Sequence, residues 1–306
     1  MRVRFWGVRG SIPCPGRQTA KYGGNTACIE LCFADSGRRI IIDAGSGIRE
    51  LGNFMLGHDL PRGPIKTSIY LSHTHWDHIM GLPFFTPIYL PSTTLEVFGP
   101  VNHEVDTLEM IVGGQMTYRY FPVREAELAA TISYVNLKEG KFDLGDGIRL
   151  TTKYLNHPIL CLGYRFECQG KVFCTAFDVE PYQNLFCTDP ADPSYDEAMA
   201  TEGELVAGEQ NTELERFISG ADLLVCDAQY TRQEYESSKV GWGHTAIEDA
   251  IAMAGRNDIR RLALFHHDPM RTDDQLDELT GIYCQPPEAG DGMEIFFAQE
   301  GEDIQL

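Results

Sequence analysis

Four side chains that commonly bind metal ions lie within six residues of this chain. They follow the apolar segment Ser68–Leu71 in the pattern H-x-H-x-D-H, and they are His73, His75, Asp77 and His78. Imidazole and carboxylate groups are first-choice ligands for Zn²⁺ and similar divalent ions, and three histidines would be poor filler for a core or a turn. The pattern therefore predicts part of a metal site at a strand end, which the fold must complete with residues from elsewhere.

Length and composition bound the class of protein. The chain has 306 residues, of which 43% are hydrophobic, and this is ample for a large core. We expect a single domain over residues 1–306, because no internal repeat or low-complexity linker divides it. No stretch approaches the roughly 20 apolar residues of a membrane span, and the start at Met1–Gly7 lacks an apolar signal region. We therefore expect a cytoplasmic protein without a membrane contact.

The charge of the chain disfavours polyanionic partners. Asp and Glu number 45 against 25 Lys and Arg, which gives a formal net charge of −20. Such a field repels nucleic acid, so long RNA or DNA is disfavoured as a substrate. The nine cysteines form no C-x-x-C pair and are odd in number, so neither a disulfide framework nor a Cys-based zinc site is indicated.

Short β-type runs recur along the chain between Gly, Pro and Asp residues. The predicted strands are Val3–Trp6, Cys28–Phe33, Arg39–Ile42, Ser68–Leu71, Thr94–Phe98, Thr131–Val135, Ile148–Tyr154, Gly163–Phe166, Lys171–Cys174, Leu223–Cys226 and Leu262–Phe265. The predicted helices are Ile48–Met55, Val105–Ile111, Glu213–Ile218, Ala246–Ala254 and Asp273–Tyr283. This mixture indicates an α/β protein with two strand-rich halves.

One segment, residues 181–220, differs from the rest in composition. It is rich in acidic residues, prolines and glycines, and Arg216 is its one basic residue. It is either a solvated surface excursion with one helix near its end or a lid over the active site.

Further ligands have to come from other strand ends, because ligand groups must converge on an ion. The candidates that follow predicted strands are His157, Asp178, His266 and His267. His157 precedes Pro158, which favours an extended and fixed backbone at this point. His58 and His103 have no neighbouring ligand type, so we interpret both as surface residues.

Together these residues resemble the metallo-β-lactamase superfamily of dinuclear hydrolases. The matching pieces, in the order of that family, are Asp43-Ala44-Gly45, H-x-H-x-D-H at 73–78, His157, Asp178 and His266. Cys226-Asp227-Ala228 and Gly243-His244-Thr245 resemble the acidic residue and the His-Ser-Thr motif of its ribonuclease Z and phosphodiesterase-like branch. The resemblance implies a four-layer αββα sandwich with the metals at one edge between the sheets.

The resemblance also implies a role for each ligand. It assigns His73, His75 and His157 to one ion and Asp77, His78 and His266 to the other, with Asp178 as a bridge. We expect two divalent ions, with Zn²⁺ first and Mn²⁺ or Fe as alternatives, because ligands of nitrogen and oxygen admit all three. His267 matches no ligand and is interpreted as facing substrate or supporting a ligand. Asp43 either orients a ligand loop or simply ends a strand.

The site residues favour hydrolysis of a phosphodiester. Two close ions can share a hydroxide that attacks phosphorus or a carbonyl carbon. His244 precedes a predicted capping box, Thr245-Ala246-Ile247-Glu248, where free helix N–H groups favour an anion such as phosphate. In relatives the histidine matching His244, oriented by the residue matching Asp227, is implied to protonate the leaving oxygen. The predicted catalytic residues are therefore His244, Asp227 and the ligand Asp77.

The expected substrate is a small phosphodiester, such as a cyclic nucleotide or a short nucleotide fragment. The chain is acidic and has no Gly/Pro- and Lys-rich insertion resembling the flexible arm with which ribonuclease Z grips RNA. A lactonase or thioesterase would use the same metals without an evident need for Asp227 and His244, and a non-catalytic metal sensor is a third alternative. Arg9 is either a phosphate contact or an ordinary surface arginine. The resemblance also admits a homodimer.

Overall fold

The computed structural model describes residues 1–100, 107–284 and 292–306. The strands of the described residues form two sheets of seven strands each. The strands are β1 (Arg2–Gly7), β2 (Cys28–Phe33), β3 (Arg38–Ile42), β4 (Lys66–Tyr70), β5 (Thr94–Gly99), β6 (Thr131–Asn136), β7 (Gly140–Asp143), β8 (Arg149–Leu155), β9 (Cys161–Cys168), β10 (Lys171–Ala176), β11 (Leu223–Asp227), β12 (Arg261–Phe265), β13 (Glu294–Phe297) and β14 (Asp303–Gln305). Their order is β14-β1-β2-β3-β4-β5-β6 in the first sheet and β13-β12-β11-β10-β9-β8-β7 in the second.

The main core lies between the two sheets, and strand alternation explains its composition. Ile40 and Ile42 of β3 join the cluster between the sheets, whereas Ile41 belongs to a cluster on the outer face. In β11, Val225 points into the central core and Leu224 points outward. Because successive side chains of a strand point to opposite faces, each sheet is apolar on both sides and needs a cover on both.

Helices provide the two outer covers. They are α1 (Ile48–His58), α2 (Trp76–Ile79), α3 (Leu108–Gly113), α4 (Glu197–Ile218), α5 (Arg232–Ser238), α6 (Ile247–Gly255) and α7 (Asp273–Tyr283). Ile48 and Leu51 of α1 pack on the first sheet, and Ile247 and Ala250 of α6 pack on the second. The result is a four-layer αββα sandwich, which confirms the predicted fold. Among the described helices, none has the length and apolar content needed to cross a bilayer.

The predicted elements agree with the structure best where the sequence is most apolar. Each predicted strand overlaps an observed one, whereas β7, β13 and β14 were not predicted. The residues of β7, Gly140-Lys141-Phe142-Asp143, are largely exposed and carry no hydrophobic pattern. Helix α5 was not predicted either, although Thr231 and Glu234 form a capping box, a local sequence pattern that favours a helix start.

The acidic segment 181–220 contains a long helix rather than a short one at its end. Helix α4 has 22 residues and begins after Asp196, whose side chain accepts a hydrogen bond from the Met199 N–H. Leu214 and Phe217 of this helix are buried in the apolar cluster on the outer face of the second sheet. Much of the segment is therefore part of the outer helical layer, and residues 181–196 before it are mostly exposed.

The carboxyl ends of parallel strands gather the candidate site residues. Strands β3 to β6 run parallel in the first sheet, and β10 to β13 run parallel in the second. Ligands of such sheets bind outside the carboxyl ends of the strands. The residues found there are Asp43 after β3, His73 after β4, Asp178 after β10, Asp227 at the end of β11 and His266 after β12.

Candidate metal centre

One group of four side chains surrounds a point at these strand ends. His73 Nε2 lies 3.0 Å from His75 Nδ1, and His157 Nε2 lies 3.1 Å from the same His75 atom. Asp178 Oδ2 lies 3.4 Å from His73 Nε2 and 3.9 Å from His157 Nε2. Ligand atoms of a tetrahedral Zn²⁺ site with bonds of about 2.0–2.1 Å are about 3.3 Å apart. The spacing of this group therefore fits one divalent ion.

A second group of four shares Asp178 with the first. His78 Nε2 lies 3.3 Å from Asp77 Oδ2 and 3.3 Å from Asp178 Oδ2. His266 Nε2 lies 3.1 Å from Asp77 Oδ2 and 3.3 Å from Asp178 Oδ1. Because Asp178 belongs to both groups, its carboxylate has the position of a bridge between two ions. The structure thus brings all seven predicted ligands together, in the two sets that the resemblance implied.

Three residues at the site hold unusual backbone conformations. Asp43, Asp178 and His266 have positive φ angles of 59°, 56° and 62°, which residues other than glycine seldom adopt. Such a conformation costs on the order of 1–3 kcal/mol and persists only where the surrounding structure over-determines it. Each of the three follows a strand and has its side chain at the ligand cluster, so the site includes three of the seven positive-φ residues other than glycine among the described residues.

Hydrogen bonds at the second ring nitrogen fix the orientation of the imidazoles. His78 Nδ1 donates to Asp43 Oδ2 at 2.7 Å, and the Ser72 N–H donates to Asp43 Oδ1 at 2.7 Å. His157 Nδ1 donates to the Gly243 carbonyl at 3.0 Å. With the proton on Nδ1, Nε2 of each ring keeps the free lone pair that a metal ligand needs. The structure therefore supports the orienting role of Asp43 over a plain strand end.

Two glycines let the backbone approach the ligands closely. A Cβ atom at Gly10 would lie 2.4 Å from His266 Nδ1, and one at Gly243 would lie 2.4 Å from His157 Nδ1. Gly243 also has a φ of 83°, in the region that favours glycine. A side chain at either position would displace an imidazole of the cluster.

Burial and mutual attraction set the protonation states of the cluster. Burial lowers the pKa of His73 well below its usual value and lowers that of His157 to about 4. For Asp77 and Asp178, burial alone would raise the pKa, but neighbouring imidazoles outweigh it and lower the pKa of both. Neutral imidazoles and ionised carboxylates are the states that bind a divalent cation.

The centre of the cluster requires positive charge. Burial disfavours a charge on His78, but Asp178, Asp77 and Asp43 outweigh it and raise the pKa of His78 well above its usual value. Among the described residues, His78 Nε2 and Asp178 Oδ1 are buried without a hydrogen-bond partner. Buried carboxylates are costly unless cations compensate them. The residues therefore fit divalent ions, which would compensate the charge and use both unpartnered atoms.

His244 and Asp227 form a pair at the edge of the ligand cluster. His244 Nδ1 donates to Asp227 Oδ2 at 2.7 Å, and Asp227 is fully buried. The His244 ring stacks on that of His266, with centroids 4.9 Å apart. Burial alone would lower the pKa of His244, but the Asp227 carboxylate raises it to about 9. The pair therefore places a proton donor beside the ligands.

The predicted capping box before α6 is wrong. Helix α6 begins at Ile247, and no side chain caps its first turn. Thr245 Oγ1 donates instead to the Val179 carbonyl, and the Glu248 carboxylate accepts from the Arg232 N–H. Tertiary partners that are distant in sequence have replaced the local cap, which a sequence pattern cannot reveal.

Arg9 and His267 have structural roles that differ from the predicted ones. Arg9 is fully buried and donates from Nε to the Gly23 carbonyl at 2.8 Å, so it is neither a surface residue nor a phosphate contact. His267 Nε2 donates to the Ala298 carbonyl at 2.8 Å, and burial lowers the pKa of His267 to about 3. This histidine packs in the interior, and its neighbour His266 is the one that reaches the ligand cluster.

The remaining histidine predictions concern residues away from the site. His58 lies near the end of α1, exposed, with its ring stacked on Phe54, as expected of a surface residue. His103 and the predicted helix start at Val105 lie outside the described residues.

Three residues that support the site were not predicted from the sequence, namely Ser72, Gln229 and Glu180. Ser72 Oγ donates to Asp43 Oδ2 at 2.8 Å, and Gln229 Oε1 accepts from His266 Nδ1 at 3.2 Å. Glu180 is buried and accepts from the N–H groups of the glycines that flank Trp242. Ser, Gln and Glu are common residue types, and no local pattern distinguishes these positions from ordinary loop residues.

Comparison with known sequences indicates relatives of this chain. No protein-family model matches the chain. A protein named ribonuclease Z from Lactococcus lactis subsp. lactis is 28% identical over 298 residues, covering 87% of this chain and 88% of that protein. A ribonuclease Z from Natronomonas pharaonis is 25% identical over 342 residues, covering 98% of this chain and 99% of that protein. These names conflict with the expectation that long nucleic acid is disfavoured as a substrate.

Solved structures with a similar fold cover the whole chain. The metallo-β-lactamase fold protein YhfI from Bacillus subtilis has a TM-score of 0.60 at 17% identity, covering 99% of this chain and 98% of that one. A diphosphatase from the PhnP family has a TM-score of 0.62 at 16% identity, covering 100% and 97%. The short form of human tRNase Z has a TM-score of 0.58 at 18% identity, covering 100% and 99%. These similarities show the metallo-β-lactamase fold.

Proposed function

Since the chain belongs to the metallo-β-lactamase superfamily, in its ribonuclease Z and phosphodiesterase-like branch, we propose that it hydrolyses a small phosphodiester or nucleotide. The enzyme class is a metal-dependent phosphoric diester hydrolase. The observation that carries the choice of reaction is the His244–Asp227 pair, with its 2.7 Å hydrogen bond beside the ligand cluster. The same proposal treats residues 1–306 as one domain, because both sheets contribute to one central core.

The two groups of ligands would each hold one divalent ion. His73, His75 and His157 form one set, and Asp77, His78 and His266 form the other, with Asp178 between them. Such ions supply, when bound, an activated water and positive charge that stabilises a phosphoryl transition state. We infer Zn²⁺ as the first candidate, with Mn²⁺ or Fe as alternatives, because ligands of this kind accept all three.

His244 acts on the leaving group in this proposal. Its Nδ1 proton is held by Asp227, so the opposite nitrogen, Nε2, is the one available to the substrate. Protonated Nε2 donates its proton to the oxygen that departs when the phosphorus–oxygen bond breaks. Asp227 keeps the ring in this orientation and stabilises its positive charge, as a buried carboxylate beside an imidazole does.

Two observations bear on the size of the substrate. The net charge of −20 opposes association with a long polyanion, which favours a small diester. The names of the relatives favour RNA as a second candidate substrate. Cleavage of a transfer RNA precursor and of a dinucleotide should be compared at two salt concentrations. A higher kcat/KM for the precursor at physiological salt would replace the small-substrate proposal.

A lactonase or thioesterase activity would use the same ligands. Neither has an evident need for the Asp227–His244 pair, and a metal sensor without turnover would not need it either. The test combines metal analysis with parallel assays on an aryl phosphodiester, a lactone and a thioester, each with Zn²⁺, Mn²⁺ and Fe²⁺. We expect turnover of the diester. Lactone turnover without cleavage of the diester under any of these metals would overturn the proposal.

A further inference from the structure

Two exposed tryptophans are next in sequence to residues of the candidate metal centre and take no part in it. Trp76 is 75% exposed although it stands between the ligands His75 and Asp77. Trp242 is 55% exposed and is followed by Gly243, whose carbonyl accepts from His157. Large aromatic surfaces are usually buried in a folded protein, so their exposure beside a site needs an explanation.

Each tryptophan is next in sequence to a residue of one chain of contacts at the cluster. His75 Nδ1 is 3.1 Å from His157 Nε2, and His157 Nδ1 is 3.0 Å from the Gly243 carbonyl. Trp76 follows His75 in the sequence, and Trp242 precedes Gly243. Both exposed indoles are thus carried by residues next in sequence to members of the His75–His157–Gly243 chain of contacts.

Lys239 holds one face of Trp242. Its Nζ lies 3.9 Å from the centroid of the Trp242 ring and 5.4 Å from that of Tyr230, whose ring centroid is 6.1 Å from that of His244. Among the described residues Lys239 forms no ion pair, although the chain carries a net charge of −20. The nearby Arg232 and Arg271, in contrast, are both paired with carboxylates. Lys239 thus contacts the Trp242 indole and adds an unpaired positive charge beside it. We call Trp76, Trp242 and Lys239 the rim of the site.

The loop that carries Trp242 is held rigidly. The buried Glu180 carboxylate accepts from the Tyr235 hydroxyl at 2.6 Å, from the Gly241 N–H at 2.7 Å and from the Gly243 N–H at 2.8 Å. These bonds fix the backbone on both sides of Trp242. An exposed aromatic ring on a fixed backbone loses little conformational freedom on binding, which suits a recognition surface.

We propose that Trp76 and Trp242, with Lys239 as a positioning residue, bind the nucleobase of a nucleotide phosphodiester. This inference rests on the proposed function and narrows its substrate to diesters that carry a base. Every nucleobase offers a flat π-surface that stacks on an exposed indole, so the rim would recognise a nucleotide without selecting one base. A dialkyl or simple aryl diester has no such surface to offer beyond its leaving group.

The test compares two substrates with the same leaving group. Thymidine 5′-(p-nitrophenyl phosphate) carries a base, and methyl p-nitrophenyl phosphate does not. For the wild-type holoenzyme we expect a higher kcat/KM with the thymidine ester. W242A and W76A should each reduce the ratio of the two kcat/KM values roughly tenfold, through KM, since stacking contributes about a factor of 5 to 160 per base. W242F should restore most of the ratio, and K239A should reduce it less than W242A.

A binding measurement separates this inference from the reaction. Trp6 is buried, so exposed indoles should dominate the quenching of tryptophan fluorescence by thymidine 5′-monophosphate. Inorganic phosphate should quench little, and the nucleotide signal should weaken in W242A. L185A is the matched control, because Leu185 is 93% exposed on the acidic segment and should change neither the ratio nor the quenching.

Each outcome has a defined meaning. If both esters are cleaved but the ratio of their kcat/KM values is unchanged in W76A and in W242A, the proposed binding of a nucleobase by the rim is wrong. The proposal of phosphodiester hydrolysis is not affected by that result. If neither ester is cleaved, the proposed function fails, and the nucleotide quenching alone decides for or against the rim.

Discussion

At the scale of single residues, the site depends on side chains that orient the ligands as much as on the ligands. The H-x-H-x-D-H pattern and the histidines at strand ends were readable because their residue types are chemically distinctive. Ser72 and Gln229 were not, although they contact Asp43 and His266. Their roles depend on positions reached through tertiary folding, and a single sequence carries no record of these contacts.

Replacement of Asp43 by Asn tests this orienting role. Asp43 accepts from His78 Nδ1 at 2.7 Å and from Ser72 at two atoms. An amide cannot supply the same acceptors or charge, so we expect D43N to fold but to bind metal about 10- to 100-fold more weakly. Competition with a chelator of known affinity measures this. D35N, at an exposed turn, is the control, and equal affinities in the two variants would refute the role of Asp43.

At the scale of elements, the strands were easier to predict than the turns that follow them. The apolar and β-branched runs predicted β3, β4, β11 and β12. No local sequence pattern predicted the positive φ angles of Asp43, Asp178 and His266. The predicted cap of α6 failed because Glu248 bonds to the Arg232 N–H in a neighbouring element. Local sequence patterns therefore predicted which residues form the site. The arrangement of those residues in space depends on contacts between elements.

A matched pair of glycine variants tests the loop between α5 and α6. Gly241 and Gly243 have φ angles of 82° and 83°, so alanine at either position meets a similar backbone cost of about 1–3 kcal/mol. Only at Gly243 would the new Cβ also strike His157, 2.4 Å from Nδ1, whereas nothing lies within 4 Å at Gly241. We expect G243A to lose metal from the His157 group and most diester turnover.

The second variant, G241A, should be destabilised to a similar degree in thermal unfolding while keeping its metal content. If both variants retained full metal content, the close approach of Gly243 to His157 would not be needed for metal binding. Metal analysis of the purified variants distinguishes these results.

At the scale of the whole molecule, the two sheets meet at the ligand cluster. The first sheet contributes His73 to His78, and the second contributes His157, Asp178 and His266. A ligand that binds the folded state and not the unfolded chain stabilises the fold by about 2.7 kcal/mol at 100 times its dissociation constant. Bound ions should therefore join the sheets and raise the stability of the entire sandwich.

Removal of metal tests this coupling. We expect a chelator to lower the midpoint of thermal unfolding by at least about 5 °C and added Zn²⁺ to restore it, since 1 kcal/mol corresponds to roughly 2–4 °C for domains of 150–250 residues. In D178N, which removes the shared carboxylate, the shift should largely disappear. A full metal-dependent shift in D178N would show that the ions are not held between the sheets as described.

The central claim is that His244, oriented by Asp227, protonates the leaving oxygen of a phosphodiester. The most direct measurement is the kcat of H244A on two diesters, one that releases p-nitrophenol and one dinucleotide that releases a ribose hydroxyl. H58A is the matched control, because His58 is exposed and packs on Phe54 of α1. With metal content unchanged, H244A should lose about 10²- to 10⁴-fold in kcat on the dinucleotide and far less on the nitrophenyl ester. Equal losses on both substrates, or none on the dinucleotide, would contradict the claim.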